Sequence, residues 1–252
     1  MKRYFLTGMA LCLGFISFAQ KAVDFKLNPE IGKPLKINML MKTDVEGPQS
    51  VIMDMNMGME MVASQKDGEN FTIENTTKTI KVDIDAGMMT MSYNSEEEAA
   101  DEMAKALGEQ FSKIIDQKIT IVMTEKGKTL DVNLPESFAG QGFDKSSFAN
   151  ISASLPENAV SPGESWSSSY EMTDNPLIAF VEQTSTYREE SAEGYVIDVE
   201  GKMKDGSDNE IGSVKGHYIL DKTTHFTKNA VLTTSIEVQG TKVVSDITMS
   251  VD

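Results

Sequence analysis

The stretch VIMDMNMGMEMV, residues 51–62, places a methionine at every second position, with polar residues such as Asp54 and Asn56 between them. Successive side chains of a β-strand point to opposite sheet faces, whereas a helix would scatter this pattern around its axis. The stretch therefore predicts one strand with a sulfur-rich apolar face and a polar face. Its length favours strong coiling, because an average strand has only about five or six residues. The five methionines are Met53, Met55, Met57, Met59 and Met61.

The same alternation continues on both sides of this strand. Apolar residues fall at every second position in two further stretches. The first precedes a turn at residues 46–48 and contains Leu35, Ile37, Met39 and Met41. The second follows a turn at residues 85–87 and contains Met89, Met91 and Tyr93. Between these stretches, Ile73 and Ile80 lie on opposite parities, which predicts a bulge or bend within residues 75–79. The first third of the chain is therefore expected to form a meander of four or five antiparallel strands.

The N-terminal residues are typical of an export signal. Lys2 and Arg3 precede an apolar run, and Ser17-Phe18-Ala19 fits a small-x-small cleavage pattern before Gln20. Residues 1–19 are thus predicted to be a signal peptide, which places the mature protein in the periplasm or outside the cell. The apolar run is shorter than the roughly 20 residues of a spanning helix, and no later stretch approaches that length, so we expect no transmembrane anchor.

One helix is predicted from about residue 96 to residue 116. Ser95 followed by Glu98 resembles a capping box, and apolar residues from Ala99 to Ile115 follow helical spacing. Gly108 lies inside this segment and costs about 1 kcal/mol of helix propensity relative to alanine. We expect the helix to pack on the sheet.

The second half of the chain repeats the strand-and-turn rhythm. Residues 20–134 form the predicted meander with its helix, and residues 135–160 an irregular connection with short helical turns near Phe138, Phe143 and Phe148. Six antiparallel strands are predicted in residues 161–252, continuous with residues 20–134 as one domain. The expected fold is mainly antiparallel β of the α+β class, a strongly curved sheet or half-open barrel with one long helix packed on it.

Composition excludes several classes of function. The formal net charge is −16, and two of the basic residues belong to the predicted signal peptide, so a nucleic acid partner is not expected. Cys12 is the single cysteine and also lies in that segment, which removes disulfides, thiol catalysis and thiolate metal sites from the mature chain.

No catalytic constellation emerges from the remaining residues. Gly163-Glu164-Ser165-Trp166-Ser167 lacks the final glycine and the strand-to-helix context of a nucleophile elbow. The two histidines, His217 and His225, are interpreted as surface or cross-strand residues. We expect no enzyme activity, no cofactor and no metal site.

The methionine row has three interpretations. It is plain core if the sheet buries it completely, and a ligand-binding face if its flexible, polarisable side chains line a surface that accepts variable apolar shapes. Thioethers also bind cuprous ion, but same-face neighbours on one strand lie roughly 6.8 Å apart, so cross-strand pairs would be better placed. The candidate ligand-binding residues are Met39, Met41, Met53, Met55, Met57, Met59, Met61, Met89 and Met91.

The segment Val160-Ser161-Pro162-Gly163-Glu164-Ser165-Trp166, with the signal peptide and the meander from Pro34 to Tyr93, resembles secreted bacterial proteins grouped as a family of unknown function. In those proteins a valine-x-x-glycine-acid-serine-tryptophan turn leads into the second set of strands. The architecture is also similar to the curved-sheet carriers of lipids and lipoproteins, which implies an apolar small molecule or lipid as partner.

These observations lead to three hypotheses. The first is a non-enzymatic exported protein that binds an apolar ligand, such as a lipid or acyl chain, on a methionine-rich sheet face. The second is a structural or interaction module in which the methionines are core. The third is a protein that handles Cu(I).

Overall fold

The computed structural model describes residues 21–138, 145, 153–172, 175 and 177–252. The predicted signal peptide, Phe143 and Phe148 lie outside the described residues. Twelve strands and one α-helix follow in the order β1 Pro34–Glu46, β2 Val51–Asp67, β3 Asn70–Asp85, β4 Thr90–Asn94, α1 Glu102–Phe111, β5 Lys118–Thr124, β6 Thr129–Asn133, β7 Ser165–Glu171, β8 Phe180–Glu190, β9 Tyr195–Lys204, β10 Glu210–Leu220, β11 Thr227–Val238 and β12 Thr241–Val251. A short 3-10 turn, Glu136–Phe138, follows β6.

All twelve strands belong to one curved, open sheet. Its order is β6-β5-β3-β2-β1-β12-β11-β10-β9-β8-β7, with β4 paired to the far end of β3. The first strand pairs antiparallel with the last, so Ile37 faces Val251 and Val45 faces Val243 across the junction. The predicted class, mainly antiparallel β with one helix, is confirmed. The strands from both halves of the sequence build a single surface.

The methionine stretch is a strand, as its periodicity predicts. It continues beyond residue 62 to Asp67, giving β2 a length of 17 residues. The predicted change of phase in β3 is also present, because Gly58 pairs with Thr79 while Met59 pairs with Thr77, leaving Lys78 as the extra residue of a bulge. The bulge keeps Ile73 and Ile80 on the same face of the sheet.

The two faces of the sheet differ in polarity. On the outer face, Lys42 lies opposite Asp54 on one side and Asp246 on the other, and Glu200 lies opposite Lys215. On the inner face, rows of apolar side chains run across neighbouring strands, such as Ile197 opposite Tyr187 and Tyr218. This contrast follows from the period-2 pattern of every strand.

A glycine permits the close approach of two central strands. Gly216 of β10 has a φ of 150°, and a Cβ atom at this position would collide with the backbone carbonyl of Val231 on β11. A residue with a side chain would therefore have to force the two strands apart. The spacing of β10 and β11 at this point therefore depends on glycine.

The helix is shorter than predicted and starts later. Asp101 caps it by accepting hydrogen bonds from the backbone N–H groups of Met103 and Ala104, at 3.0 and 2.8 Å. The predicted cap, Ser95, has a different role, because its hydroxyl accepts a hydrogen bond from the Ile80 N–H at 2.9 Å. The prediction of a long helix over residues 96–116 is therefore wrong at both ends. A helix does pack on the sheet, with Phe111 stacked on Tyr93 of β4.

The N-terminal segment, residues 21–28, crosses the inner face and joins distant parts of the sheet. Val23 forms a backbone bridge with Val160 just before β7, and Leu27 donates to the Glu125 carbonyl at the turn after β5. Phe25, fully buried between these two points, is the centre of the main apolar core. Among the described residues no helix is both long and apolar enough to cross a membrane.

Candidate functional site

The strand register assembles the methionines into a patch on the inner face. Met39 of β1 lies opposite Met57 of β2 and Met249 of β12, and in the next row Met41 lies opposite Met55. Directly opposite residues have Cβ atoms about 4.5–5.5 Å apart, so these thioether side chains are in reach of one another. We call the set the methionine patch: Met39, Met41, Met53, Met55, Met57, Met59 and Met249.

Every member of the methionine patch is half-buried, in contrast to the fully buried part of the inner face. Val199 and Ile197, on the same face of β9, are 1% and 0% exposed. The main core includes Ile197, whereas the patch retains contact with solvent, although Met57, Met59 and Met249 also pack against the main core. An apolar surface that the protein covers only in part is the main feature of this site.

Three of the predicted residues lie elsewhere. Met61 is buried, with 6% exposure, and belongs to the main core. Met89 is 49% exposed in the turn before β4, so it is not on the inner face of any strand, and its assignment to the apolar face is wrong. Met91 is half-buried on β4, opposite Ile84, and is separated from the patch by β3. The sequence prediction assumed that Met89 continued the parity of Met91, whereas the turn after Asp85 ends at Met89.

Sequence reasoning missed residues that the last two strands contribute. Met249 and Ile247 of β12 lie beside Met39 and Met41, and Leu232 of β11 continues the second row. The period-2 pattern of residues 243–251 was visible in the sequence. The pairing of β12 with β1, across nearly the whole chain, had no sequence signal.

A polar band limits the apolar surface at one end. The hydroxyl groups of Thr43 and Ser245 are hydrogen bonded at 2.9 Å, and Thr234 lies opposite Ser245 on β11. Beyond the band lies a second apolar cluster that includes Val181 and Met203. To the side of the patch, beyond β3, the ring of Phe111 in α1 stacks on Tyr93 of β4, with ring centroids 5.5 Å apart.

Burial shifts the pKa of titratable groups near this surface. Burial raises the pKa of Tyr218, on the inner face of β10, to about 12, so its phenol stays neutral. His225 lies in the turn before β11, where burial lowers its pKa and its ring nitrogen Nδ1 lies 3.0 Å from the Lys26 backbone N–H. His217 lies on the outer face opposite Asp198. Among the described residues, histidine, cysteine and carboxylate side chains form no group that could hold a metal ion.

Comparison with protein families gives a match of limited extent. Residues 68–139, from the turn before β3 to the end of the 3-10 turn, match the model of a family of unknown function, DUF6263. The predicted resemblance to a family of unknown function is confirmed at this level, although residues 160–166, which suggested it, lie outside the match. A search of curated proteins finds no match to the chain.

Solved structures give a match in fold. A structure described as showing lipid–protein interactions in lipovitellin aligns with a TM-score of 0.57 at 9% identity, covering 88% of this chain. The present chain spans only 25% of the lipovitellin chain. At this identity the match shows a shared sheet architecture and nothing about the ligand.

Two bacterial structures align over most of their length but with low scores. One is a DUF1329 family protein from Desulfovibrio piger, with a TM-score of 0.32, 9% identity, and coverage of 88% of this chain and 87% of that chain. The other is an outer membrane lipoprotein-sorting protein domain from Vibrio parahaemolyticus, with a TM-score of 0.29, 10% identity, and coverage of 86% and 85%. At these scores the alignments carry no functional argument.

Proposed function

We propose that this protein is an exported, non-enzymatic carrier that shelters an apolar ligand, such as a lipid or an acyl chain, on the methionine patch. The observation that carries the proposal is the partial exposure of seven neighbouring methionines on the inner face of the sheet. The export signal predicted for residues 1–19 is consistent with the proposal, and the sheet architecture is shared with part of lipovitellin, in a structure described as showing lipid–protein interactions.

The composition of the patch favours a ligand over a plain core. Leucine, isoleucine and valine hold fixed rotamers and make up most of the buried part of this protein, as at Ile73, Ile121 and Val82. Only three methionines are buried among the described residues, Met61, Met123 and Met203. Methionine has three rotatable bonds and a polarisable sulfur, so a surface of methionines adapts to apolar molecules of different shape. The patch is thus suited to an acyl chain, which has no fixed shape itself.

Substitutions on opposite faces of the same strands test the proposal. Met41→Asn with Met55→Asn places amides in the centre of the patch, where they would lose apolar contact with the ligand. Leu40→Asn with Ile52→Asn makes the same chemical change on the outer face, at residues that are 46% and 41% exposed. The measurement is the dissociation constant of a fluorescent fatty-acyl probe, with each variant's fold checked by circular dichroism.

We expect the inner-face pair to weaken probe binding by at least tenfold, since losing the burial of one large apolar side chain costs about 1.5–3 kcal/mol. The outer-face pair should bind as the unmodified protein does. The proposal fails if the unmodified protein does not bind the probe, or if both pairs weaken binding equally. Either result would favour the structural module, in which the patch is core.

A second candidate function, Cu(I) binding, is favoured by the row Met57, Met39 and Met249 on three adjacent strands. Cross-strand pairs bring thioethers closer together than neighbours on one strand do. Replacing all three residues with leucine keeps the surface apolar and removes the sulfur. If copper is the ligand, titration against a cuprous chelator should show binding that this triple variant loses, while binding of the acyl probe is retained.

A further inference from the structure

A pocket of 420 Å³ opens at the end of the sheet where β1 begins and β12 ends. Its volume is within the range of about 300–1,000 Å³ that small-molecule sites occupy. The walls are apolar and come from distant parts of the chain, while charged residues surround the mouth. The apolar lining includes Pro29, Pro34, Leu35, Ala63 and Val251.

The charges at the mouth are largely neutralised within the protein. Lys33 forms an ion pair with Glu30 at 2.9 Å, and Lys228 forms one with Glu193 at 3.2 Å. The Asp221 carboxylate accepts hydrogen bonds from the backbone and hydroxyl groups of Thr224. The two lysines of the lining are therefore paired, whereas Asp221 and Asp252 remain as acidic side chains, which disfavours an anionic ligand.

A smaller chamber of 20 Å³ lies behind the pocket, in the main core. The two spaces share four lining residues, Met61, Ile73, Phe226 and Thr227. A volume of this size holds one water molecule or a group of similar size, because roughly 10–15 Å³ is sufficient. The residues that line this chamber, all within the described part of the chain, carry no formal charge.

Two polar groups in the lining of the inner chamber lack partners. Asn75 and Thr227 are each 6% exposed, and neither Asn75 Oδ1 nor Thr227 Oγ1 has a hydrogen-bond partner among the described residues. Leaving such buried groups unpaired is unfavourable, because no hydrogen bond offsets the loss of their hydration. Both residues line the same water-sized space, which indicates that a small hydrogen-bonding group belongs there.

We propose that this pocket binds an uncharged apolar molecule that carries a hydroxyl group, such as a long-chain alcohol. The hydroxyl enters the inner chamber, donates to Asn75 Oδ1 and shares a hydrogen bond with Thr227 Oγ1. The apolar body fills the outer pocket. The site meets the methionine patch at Met249, which lines the inner chamber, but no residue of the patch lines the outer pocket, so the proposal does not depend on the carrier function.

The chemistry of the inner chamber discriminates between polar end groups. A carboxylate would lose its hydration and face the acceptor Asn75 Oδ1 without a cation in the lining, which is strongly unfavourable. An alkane would leave both polar groups unpaired. A hydroxyl supplies a donor and an acceptor in a volume close to that of water, so it meets both requirements.

Met61 is the side chain best placed to admit the ligand. It is buried, lines both spaces and lies opposite Leu35 in β1 and Asn75 in β3. Its flexible thioether side chain can change rotamer without moving the strand. Such a movement would join the inner chamber to the pocket.

The test compares 1-decanol, decane and decanoate at neutral pH with the full mature chain, by calorimetry or by thermal shift. Decanol should bind more tightly than decane, and decanoate should bind most weakly. Combining Asn75→Leu with Thr227→Val removes both polar groups at nearly constant shape. This double variant should bind decanol roughly tenfold more weakly and decane unchanged, consistent with the loss of one or two hydrogen bonds.

Two further variants control the interpretation. Thr234→Val makes the same change as Thr227→Val at an inner-face hydroxyl outside the pocket and should leave decanol binding unaltered. Leu35→Trp fills the outer pocket from a half-buried position and should abolish decanol binding, which keeps the proposal testable if the double variant does not fold.

Several results would overturn the proposal. If decanol does not bind, the inner chamber holds only a water molecule. If decanol binds no better than decane, or equally well to the double variant, the polar pair does not recognise it. If decanol binding is lost in Met41→Asn with Met55→Asn but not in Leu35→Trp, the alcohol lies on the methionine patch, which would support the carrier function and exclude this site.

Discussion

Phe25 packs edge to face against Tyr187, with ring centroids 5.3 Å apart and the ring planes at 88°. Tyr187 is on β8, so this contact fixes the N-terminal segment to the inner face near one edge of the sheet. The same ring lies 5.2 Å from Tyr195 and 5.4 Å from the His225 ring. One side chain thus connects the segment to strands from the second half of the chain.

Phe25→Ala should lower the free energy of unfolding by about 3–5 kcal/mol, because it removes a fully buried ring and leaves a cavity among aromatic residues. Equilibrium denaturation by urea measures the change. Phe180→Ala is the matched control, since that ring is 41% exposed, and it should cost less than about 1 kcal/mol. Equal losses in the two variants would contradict the central role of Phe25.

Stability should fall as the pH decreases through the range of histidine. Burial is the largest influence on His225 and lowers its pKa below 6.5, against the opposing effects of the Lys26 backbone, Asp221 and Asp24. The folded protein therefore binds this proton less readily than the unfolded chain. The contribution of neutral His225 to the free energy of unfolding is complete above about pH 6.5. It is lost progressively as the pH falls towards the lowered pKa of His225 in the folded protein.

The measurement is the free energy of unfolding from about pH 7.5 to about pH 5.5. His225→Asn keeps a residue that tolerates the positive φ of 54° and should flatten this dependence. His217→Asn, on the outer face, should leave it intact. A slope that survives in His225→Asn would show that another group is responsible.

Gly108→Ala should lower the free energy of unfolding by about 1 kcal/mol, although alanine is the better helix former. A Cβ atom at this position would lie 2.9 Å from Cε2 of Tyr93, whose ring is stacked on Phe111. In a Tyr93→Leu background the same substitution should become stabilising. A double-mutant cycle measured by thermal denaturation separates the steric clash with Tyr93 from the gain in helix propensity.

Asp101→Ala should destabilise the helix by about 1 kcal/mol and remove hydrogen-exchange protection from the amides of Met103 and Ala104. Ser95→Ala should instead reduce protection at the Ile80 amide and leave the start of the helix unchanged. NMR hydrogen exchange distinguishes the two residues directly. If Ser95→Ala removed hydrogen-exchange protection from the helix amides, Ser95 would be the helix cap, as the sequence predicts.

Strand periodicity predicted most of the sheet because burial of one face imposes a period of two on the residues themselves. The bulge at Lys78 was predicted for the same reason, since two stretches of opposite parity must be reconciled within one strand. The start of the helix was missed because Ser95 and Glu98 satisfy a capping pattern whose serine is hydrogen bonded to β3 instead.

The candidate sites were less predictable, since they depend on contacts between distant residues. The position of Met39 between Met57 and Met249 follows from pairing of the first and last strands, which local patterns do not encode. Asn75 gave no sign in the sequence that its side chain would be buried without a partner. Cavities arise from how well packed elements fit, and a single sequence does not specify this.

The absence of a side chain at Gly216 affects the surface on which an apolar guest would rest. Because a Cβ atom at this position would collide with the Val231 carbonyl, the spacing of β10 and β11 depends on glycine here. Selection for a wider or narrower guest could therefore act through a position that never touches that guest. The breadth of molecules accepted along the sheet would then change while every lining methionine remained the same.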